Sequence, residues 1–311
     1  MNETTTIFTG YSFHLPIESW FIPVGIFTLL CLLLSTFFSI ACFLQILFDK
    51  TCHTIPMLLV GNSYFIAILF GIDQIYTRCF TLFNDHQRIQ YHDLLCNFRG
   101  YFGYATCSIQ NSSYLLQAVY RYVTIVYPTR FVLQSIRFQL FLITLTWLIG
   151  LLYPIGFLFT NEIVYNIDNQ ICQLPLKLSF SIIYMANGAY IIPVLLTIFV
   201  YFKLILYVKI MGKRVTSVNT LLRAQRELKM VRRIVILVSI LFILCFPYAM
   251  FIFLSFFITI PKYHLRISYV FIDVSFIAVV IVLFQFTEPL KMSVMRKVRT
   301  HNIVPILSIQ N

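Results

Sequence analysis

Apolar residues occur in seven long stretches, which short polar segments separate. Six of them contain no Asp, Glu, Lys or Arg, namely residues 20–48, 51–72, 101–120, 138–161, 178–202 and 234–261. The seventh, 267–287, contains a single charged residue, Asp273. Each stretch has about the 20 residues that a helix needs to cross a bilayer. Because lipid offers the backbone no hydrogen bonds, a crossing segment of this length must be helical.

The pattern therefore predicts an all-α protein, a seven-transmembrane helix bundle that forms one domain over residues 1–311. The predicted spans are 20–48, 55–80, 96–127, 137–161, 178–210, 222–260 and 266–290. Residues 291–300, which follow the last span, are basic and partly apolar. We expect them to form a short amphipathic helix on the membrane surface.

Composition agrees with a protein whose main solvent is the lipid bilayer. Hydrophobic residues make up 59% of the chain and charged residues 11%, whereas soluble domains carry about 25% charged residues. The net charge of +12 would also suit a nucleic-acid-binding protein, but its distribution favours membrane topology. Of the 23 basic residues, 17 lie on the face reached after spans one, three, five and seven. Positive charge stays on the cytoplasmic side, so we expect an extracellular N-terminus in the plasma membrane.

The first 19 residues lack the basic start of a cleavable signal peptide. Asn2 opens an Asn-Glu-Thr acceptor for N-glycosylation on the predicted outer side. A second match at Asn111 lies inside the third span, where we do not expect modification.

Most of the eight cysteines fall inside predicted spans, where a thiol usually serves as a small packing residue. Cys96 and Cys172 differ because both map to the outer, oxidising side. A disulfide between them would hold the loop between spans four and five over the mouth of the bundle. Cys79, near the outer end of span two, is the alternative partner.

Span three carries Arg121 at its inner end, 25 residues after Cys96 and about 37 Å away along a helix. An arginine here either has a function or extends to the inner headgroups. Residues 118–128 read AVYRYVTIVYP. This segment resembles the Asp-Arg-Tyr-x-x-Ile-x-x-Pro segment of rhodopsin-like (class A) G-protein-coupled receptors. Tyr120 replaces the acid, and Tyr122 matches the tyrosine.

Three other predicted spans carry matches to the same family. Trp147 stands where the family has its typical tryptophan of span four, and Pro193 precedes Tyr201 by eight residues in span five. In span six, Pro247 and Tyr248 resemble the family's proline kink. The resemblance implies that a ligand moves span six outward at this kink. A heterotrimeric G protein would then dock among Tyr120, Arg121, Tyr122 and Tyr201.

Glu227 is the only acid in the cytoplasmic segment 203–233. It precedes Pro247 by 20 residues, or about 30 Å of helix. The resemblance implies that it pairs with Arg121 in the resting receptor and separates on activation. Alternatively, Glu227 is a surface acid that neutralises Arg223 or Arg226.

Several family positions are occupied by other residues. Cys245 replaces the tryptophan before the kink, and Ala67 replaces the acid that binds sodium, so we predict no sodium regulation there. Glu288 and Met292 replace the asparagine and the tyrosine of the Asn-Pro-x-x-Tyr motif. The chain is thus similar to a divergent member of the family.

Positions that face the ligand in the family exclude two ligand classes. Gly103 cannot pair with an amine, and Val282 cannot form the Schiff base of an opsin. The candidate pocket residues are Asp73, Gly103, Tyr104, Cys107 and Tyr248. Asp73 is the strongest of them, unless it pairs with Arg78. A peptide or a modestly polar small molecule would suit this aromatic pocket.

Other functional classes are less consistent with the sequence. A channel or transporter usually shows buried charge along a pathway or inverted repeats, and neither is evident. A seven-helix chemosensory receptor outside the rhodopsin-like group remains an alternative. Motifs of metalloproteases and serine hydrolases are absent from the sequence. We therefore expect no enzyme activity, no cofactor and no metal.

Overall fold

A computed structural model describes residues 18–87, 95–176, 179–213, 246–255, 257–258 and 261–296. The chain forms a bundle of long helices with one short hairpin. The helices are α1 (Phe21–Phe48), α2 (Ile55–Gln87), α3 (Cys96–Val126), α4 (Ile136–Leu152), α5 (Gly156–Thr160), α6 (Phe180–Ala186), α7 (Ile192–Lys213), α8 (246–254), α9 (His264–Phe286) and α10 (288–296). Most of the sixth predicted span lies outside the described residues.

Five stretches of the described chain are long and apolar enough to cross a membrane. They are α1, α2, α4 continued into α5, α6 continued into α7, and α9. At 31 residues, α3 is also long enough to cross a membrane, but it is more polar than the five apolar stretches. It packs against α2, α4 and α7 at once, so its polar side chains meet protein rather than lipid.

Local capping explains where several helices begin and end. The hydroxyl of Ser135 accepts a hydrogen bond from the backbone N–H of Phe138 at the start of α4 (3.3 Å). Ser179 does the same for Ile182 at the start of α6 (3.3 Å). Such caps satisfy amide groups that have no partner within the helix. At the end of α5, Asn161 has a φ of 52°, the left-handed conformation that asparagine tolerates well.

A polar cluster joins the middle of α2, α3 and α4. Ser113 of α3 lies 2.6 Å from the hydroxyl of Ser63 and accepts a bond from the Asn62 amide (3.1 Å). Gln117 donates to Ser63 (2.7 Å), and the indole N–H of Trp147 donates to Asn62 (2.9 Å). Each of these groups would be costly to bury alone. Together they fix how the three helices meet.

The segment between α6 and α7 is a π-helix, Asn187–Ile191. A π-turn interrupts the regular hydrogen bonding of an α-helix. The amide of Asn111 on α3 donates to the carbonyl oxygen of Ala189 in this segment (2.8 Å). Pro193 follows in α7, where its carbonyl accepts a bond from the Thr197 hydroxyl (2.7 Å). The irregular part of this span is therefore held by a buried side chain of α3.

The connection between α5 and α6 contains an antiparallel hairpin of strands β1 (Val164–Asn166) and β2 (Ile171–Gln173). The prediction of an all-α protein did not include it. All residues of β2 are buried, because the strand lies across the end of the bundle and packs on α3. The sequence pattern missed the hairpin because each strand has only three residues.

The turn of the hairpin is hydrogen-bonded to residues of α2 and α9. Gln170, with a φ of 55°, donates to Asp85 (3.1 Å). Asp85 also accepts two bonds from the guanidinium of Arg266 (2.6 and 2.8 Å). The amide oxygen of Asn169 accepts a bond from the backbone N–H of Arg266 (3.1 Å), and its nitrogen donates to the Lys262 carbonyl (3.0 Å). We call this arrangement of Asp85, Arg266, Asn169 and Gln170 the hairpin clamp.

At the opposite end of the bundle, α10 is attached to the end of α1. Ser293 is hydrogen-bonded to Gln45 and to Asp49. The bonds from Ser293 and from Thr51 lower the pKa of the Asp49 carboxyl to about 2. Asp49 is therefore ionised near neutral pH, and it lies close to the basic Arg296. The helix predicted over 291–300 begins at residue 288 in the structure.

We expect Gly71→Ala to destabilise the protein, because α1 and α2 touch at Gly71. A Cβ there would overlap the Thr36 hydroxyl, and Thr36 is β-branched and buried. Overpacking of this kind costs about 1–3 kcal/mol. Gly61→Ala on the same helix is the control, since its Cβ would lie 3.4 Å from Ile46. Thermal unfolding of the purified protein in detergent should show a lower Tm for Gly71→Ala alone; equal Tm values would contradict the packing.

We expect Asp85→Asn to destabilise the protein strongly, because it leaves Arg266 buried without its charged partner. Breaking a buried ion pair costs about 3–5 kcal/mol. Asp168→Asn is the control, since the side chains of Asp168 and Lys262 are 44% and 48% exposed and solvent screens that pair. Thermal unfolding and amide hydrogen exchange over 164–173 would compare the two. Unchanged exchange in Asp85→Asn would contradict the role of the clamp.

Candidate functional sites at the two ends of the bundle

A disulfide between Cys96 and Cys172 ties β2 to the first residue of α3, with the two Cα atoms 5.2 Å apart. The predicted bridge is thus present, and Cys79, the alternative partner, is a free and exposed thiol. The bridge and the hairpin clamp hold the hairpin at its two sides. The connection between α5 and α6 therefore covers the bundle at this end, which we call the disulfide end.

Tyrosines from three helices meet beneath the hairpin. The hydroxyl of Tyr104 on α3 accepts a hydrogen bond from the backbone N–H of Leu174, just after β2 (3.0 Å). It is also hydrogen-bonded to the hydroxyl of Tyr248 on α8. Tyr269 of α9 lies close enough to interact electrostatically with both. Two of the predicted pocket residues, Tyr104 and Tyr248, are therefore in direct contact.

Asp73 and Gly103 lie side by side at the same level of the bundle. A Cβ on Gly103 would be 3.4 Å from a carboxylate oxygen of Asp73, so α3 approaches α2 closely here. Asp73 is buried and accepts a bond from Gln74 (3.3 Å). The fifth predicted residue, Cys107, lies one helical turn below Gly103 and accepts a weak bond from Asn111 (3.6 Å). The five predicted pocket residues thus lie in the same region of the bundle.

A buried ion pair joins α2 to α9 in the same region. The Nε of Arg78 donates to Asp273 (2.6 Å), and the side chains are 6% and 0% exposed. The guanidinium also lies over the Tyr269 ring, 5.3 Å from its centroid. The ion pair that the structure shows for Arg78 is thus with Asp273, which faces it from α9.

Sequence reasoning did not identify this pair as a site. Charged residues inside the predicted spans were visible, namely Asp73 and Arg78 in span two and Asp273 in span seven, and such charges usually have partners. Which acid would face Arg78 depended on how α2 and α9 are rotated. The same holds for Asp85 and Arg266 in the hairpin clamp, which are 181 positions apart in the chain.

The position at which the resembling receptors bind sodium is apolar here. Ala67 is buried in a cluster with Leu32, Tyr64 and Val280, which joins α1, α2 and α9. Within the described part of the chain, no group of three or more His, Cys, Asp or Glu side chains could hold a metal ion.

At the end opposite the disulfide, Arg121 lies beside Tyr201 of α7. The two side chains are close enough to interact electrostatically, and Tyr201 is almost fully buried. The Nη1 atom of Arg121 is buried and has no hydrogen-bond partner among the described residues. Tyr122 packs against the cluster that Tyr201 forms with Ala118 and Leu204, so the predicted coupling residues of α3 and α7 are brought together.

Four other predicted residues contribute less to the description of these sites. Tyr120 precedes Arg121 on α3 and is half-buried. Pro247 lies in α8, the part of the sixth span that is described. Glu227 and Asn2 lie outside the described residues, so the structure does not test the pairing of Arg121 with Glu227 or the glycosylation of Asn2.

Comparison with known proteins identifies the family. The family model of the seven-transmembrane receptors (rhodopsin family) matches residues 40–289. The crystal structure of squid rhodopsin is similar, with a TM-score of 0.73 over 91% of this chain and 86% of the rhodopsin chain. The sequences are 17% identical, so this likeness shows the fold alone. No curated protein sequence matches the chain significantly. The chain belongs to the rhodopsin family of seven-transmembrane receptors, multi-pass membrane proteins that act as receptors rather than enzymes.

Proposed function

We propose that this receptor binds an extracellular ligand at the disulfide end and activates a heterotrimeric G protein at the opposite end. The observation that carries the proposal is Arg121, which lies beside buried Tyr201 with an N–H group that no described residue engages. A buried donor favours an acceptor; in this proposal Glu227 supplies it at rest, and a bound partner supplies it after activation. The C-terminal helix of a G-protein α-subunit would be that partner.

The proposal includes seven spans with the N-terminus outside the cell. The five apolar stretches, together with α3 and the sixth span that contains α8, would make up the seven. The excess of basic residues on the face that carries Arg121 supports a cytoplasmic location for that end. The disulfide supports an oxidising environment at the other.

The ligand would act on the tyrosines beneath the hairpin. Tyr104, Tyr248 and Tyr269 link α3, α8 and α9, and Leu174 connects them to the hairpin. A ligand that separates Tyr104 from Tyr248 would free α8 to move about the kink at Pro247. This shifts a pre-existing equilibrium towards an open cytoplasmic end. We propose a peptide or a modestly polar small molecule, since the site is aromatic and Gly103 offers no charge.

We expect Arg121→Ala to reduce G-protein activation by about 5- to 150-fold, the usual range of coupling between sites. The measurement is GTP exchange on purified G-protein subunits added to membranes that contain the receptor. Arg130→Ala is the control, because Arg130 is exposed just beyond the end of α3. Exchange that is equal in Arg121→Ala and wild type would contradict the proposed coupling, and ligand-gated ion flux with silent exchange would indicate a channel.

The proposed contact of Arg121 with Glu227 gives a second prediction. If the two side chains pair in the resting receptor, Glu227→Ala removes the contact and raises basal GTP exchange. The rise should be modest, up to about fivefold, because exposed ion pairs contribute about 0–1 kcal/mol. Glu162→Ala, an acid beside β1 at the disulfide end, serves as the control. A basal rate identical to wild type in Glu227→Ala would exclude the contact.

A further inference from the structure

The turn between α3 and α4, residues 127–135, places two adjacent apolar side chains at the surface of the end that carries Arg121. Phe131 is 77% exposed and Val132 is 75% exposed. Side chains of this kind gain free energy when they leave water. A neighbouring pair that is exposed to this degree therefore favours an apolar surrounding that the chain itself does not supply at this turn.

Hydrogen bonds hold the turn in one conformation. The backbone N–H groups of three consecutive residues, 133–135, donate to the carbonyl oxygens three positions earlier, and each of these bonds is 3.1 or 3.2 Å long. The side-chain amide of Gln134 donates to the carbonyl oxygens of Tyr127 and Pro128 (3.1 and 3.4 Å). These bonds tie the turn to the end of α3, so the two apolar side chains project from a defined support.

The exposed face of α4 indicates the level at which the membrane ends. Phe141, Leu148 and Leu152 are exposed on this face. Arg137 is also exposed and lies on the same face, one helical turn before Phe141. A basic residue at the end of an apolar face places its charge among the lipid headgroups. Because such a turn rises about 2 Å per residue, Phe131 lies within about 12 Å of that level.

Two other elements expose apolar side chains at the same end of the bundle. Phe48, near the end of α1, is exposed and is directly followed by Asp49 and Lys50, so the apolar surface of α1 stops there. On α10, Met292 and Met295 are exposed. A single partner protein would have to reach around the bundle to cover all of these side chains, whereas a membrane surface meets them together.

We propose that the turn between α3 and α4 is a membrane anchor, which inserts Phe131 and Val132 into an anionic phospholipid surface. The two side chains lie at the boundary between headgroups and acyl chains, as apolar residues of interfacial segments do. Arg137 binds lipid phosphate, which a guanidinium group can engage with two parallel hydrogen bonds. The anchor goes beyond the proposed receptor function, and it fixes the depth of the end of α3 that carries Arg121.

The test measures tryptophan fluorescence of the purified full-length receptor in nanodiscs of phosphatidylcholine and phosphatidylserine. Phe131→Trp and Val132→Trp, made separately, each add one tryptophan to the two of the chain, whose signal is subtracted with the wild-type protein. One quencher is a phosphatidylcholine with a nitroxide at carbon 5 of an acyl chain, and the other is iodide in the water. We expect the nitroxide lipid to remove most of the added fluorescence and iodide to remove little of it.

Thr129→Trp is the matched control, because Thr129 is polar and exposed in the same turn. Its added fluorescence should be lost to iodide rather than to the nitroxide lipid. Iodide quenching of both Phe131→Trp and Val132→Trp without lipid quenching would overturn the anchor, and so would equal lipid quenching at position 129. If added G-protein subunits abolish iodide quenching at position 131, that side chain docks on protein and the lipid proposal is wrong.

The role of Arg137 is measured by energy transfer from Phe131→Trp to dansyl-labelled phosphatidylserine or phosphatidylcholine at equal mole fraction. We expect the anionic lipid to be enriched around the turn by up to about fivefold. Adding Arg137→Gln should lower this enrichment, and an unchanged value would overturn the assignment of Arg137. Equal transfer to the two lipids with Arg137 present would overturn the anionic preference. A nanodisc offers the same lipids on both faces and no ligand is added, so these outcomes are independent of the proposed receptor function.

Discussion

Polar groups inside an apolar bundle need partners, and this requirement organises the structure. The clearest case is α3, whose Ser113 and Gln117 would be costly next to lipid and instead meet Ser63 and Asn62 of α2. The same helix supplies Asn111, which satisfies a carbonyl oxygen of the π-segment before α7. Among the long helices of the described chain, the most polar one is thus the central one, and the position of α3 sets the positions of its neighbours.

The two ends of the bundle differ in how this requirement is met. At the disulfide end, the hairpin clamp engages both oxygens of Asp85, and the disulfide fixes the other side of the hairpin. At the opposite end, Arg121 has a buried N–H group with no described partner. The disulfide end is covered by its hairpin, whereas at the opposite end Arg121 has an N–H group that no described residue engages. This difference suits a receptor, which passes a signal across a membrane.

Where this chain departs from the family's motif in span two, the surroundings of that position are apolar. Where the family carries a buried acid in span two, Ala67 packs among apolar residues, and no ion is needed there. Two buried ion pairs of the described chain, Arg78–Asp273 and Arg266–Asp85, lie nearer the disulfide end. These pairs hold α9 to α2.

The sequence by itself determined the class of the protein. Seven apolar stretches of membrane-spanning length, the uneven distribution of basic residues and the segment around Arg121 are local patterns, so they can be read without a fold. Tertiary structure alone decided the pairing of Arg78 with Asp273 and of Asp85 with Arg266, because that depends on how α2 and α9 are rotated and staggered. It also decided the hairpin, whose three-residue strands are too short for a periodic signal and are held by contacts with distant helices.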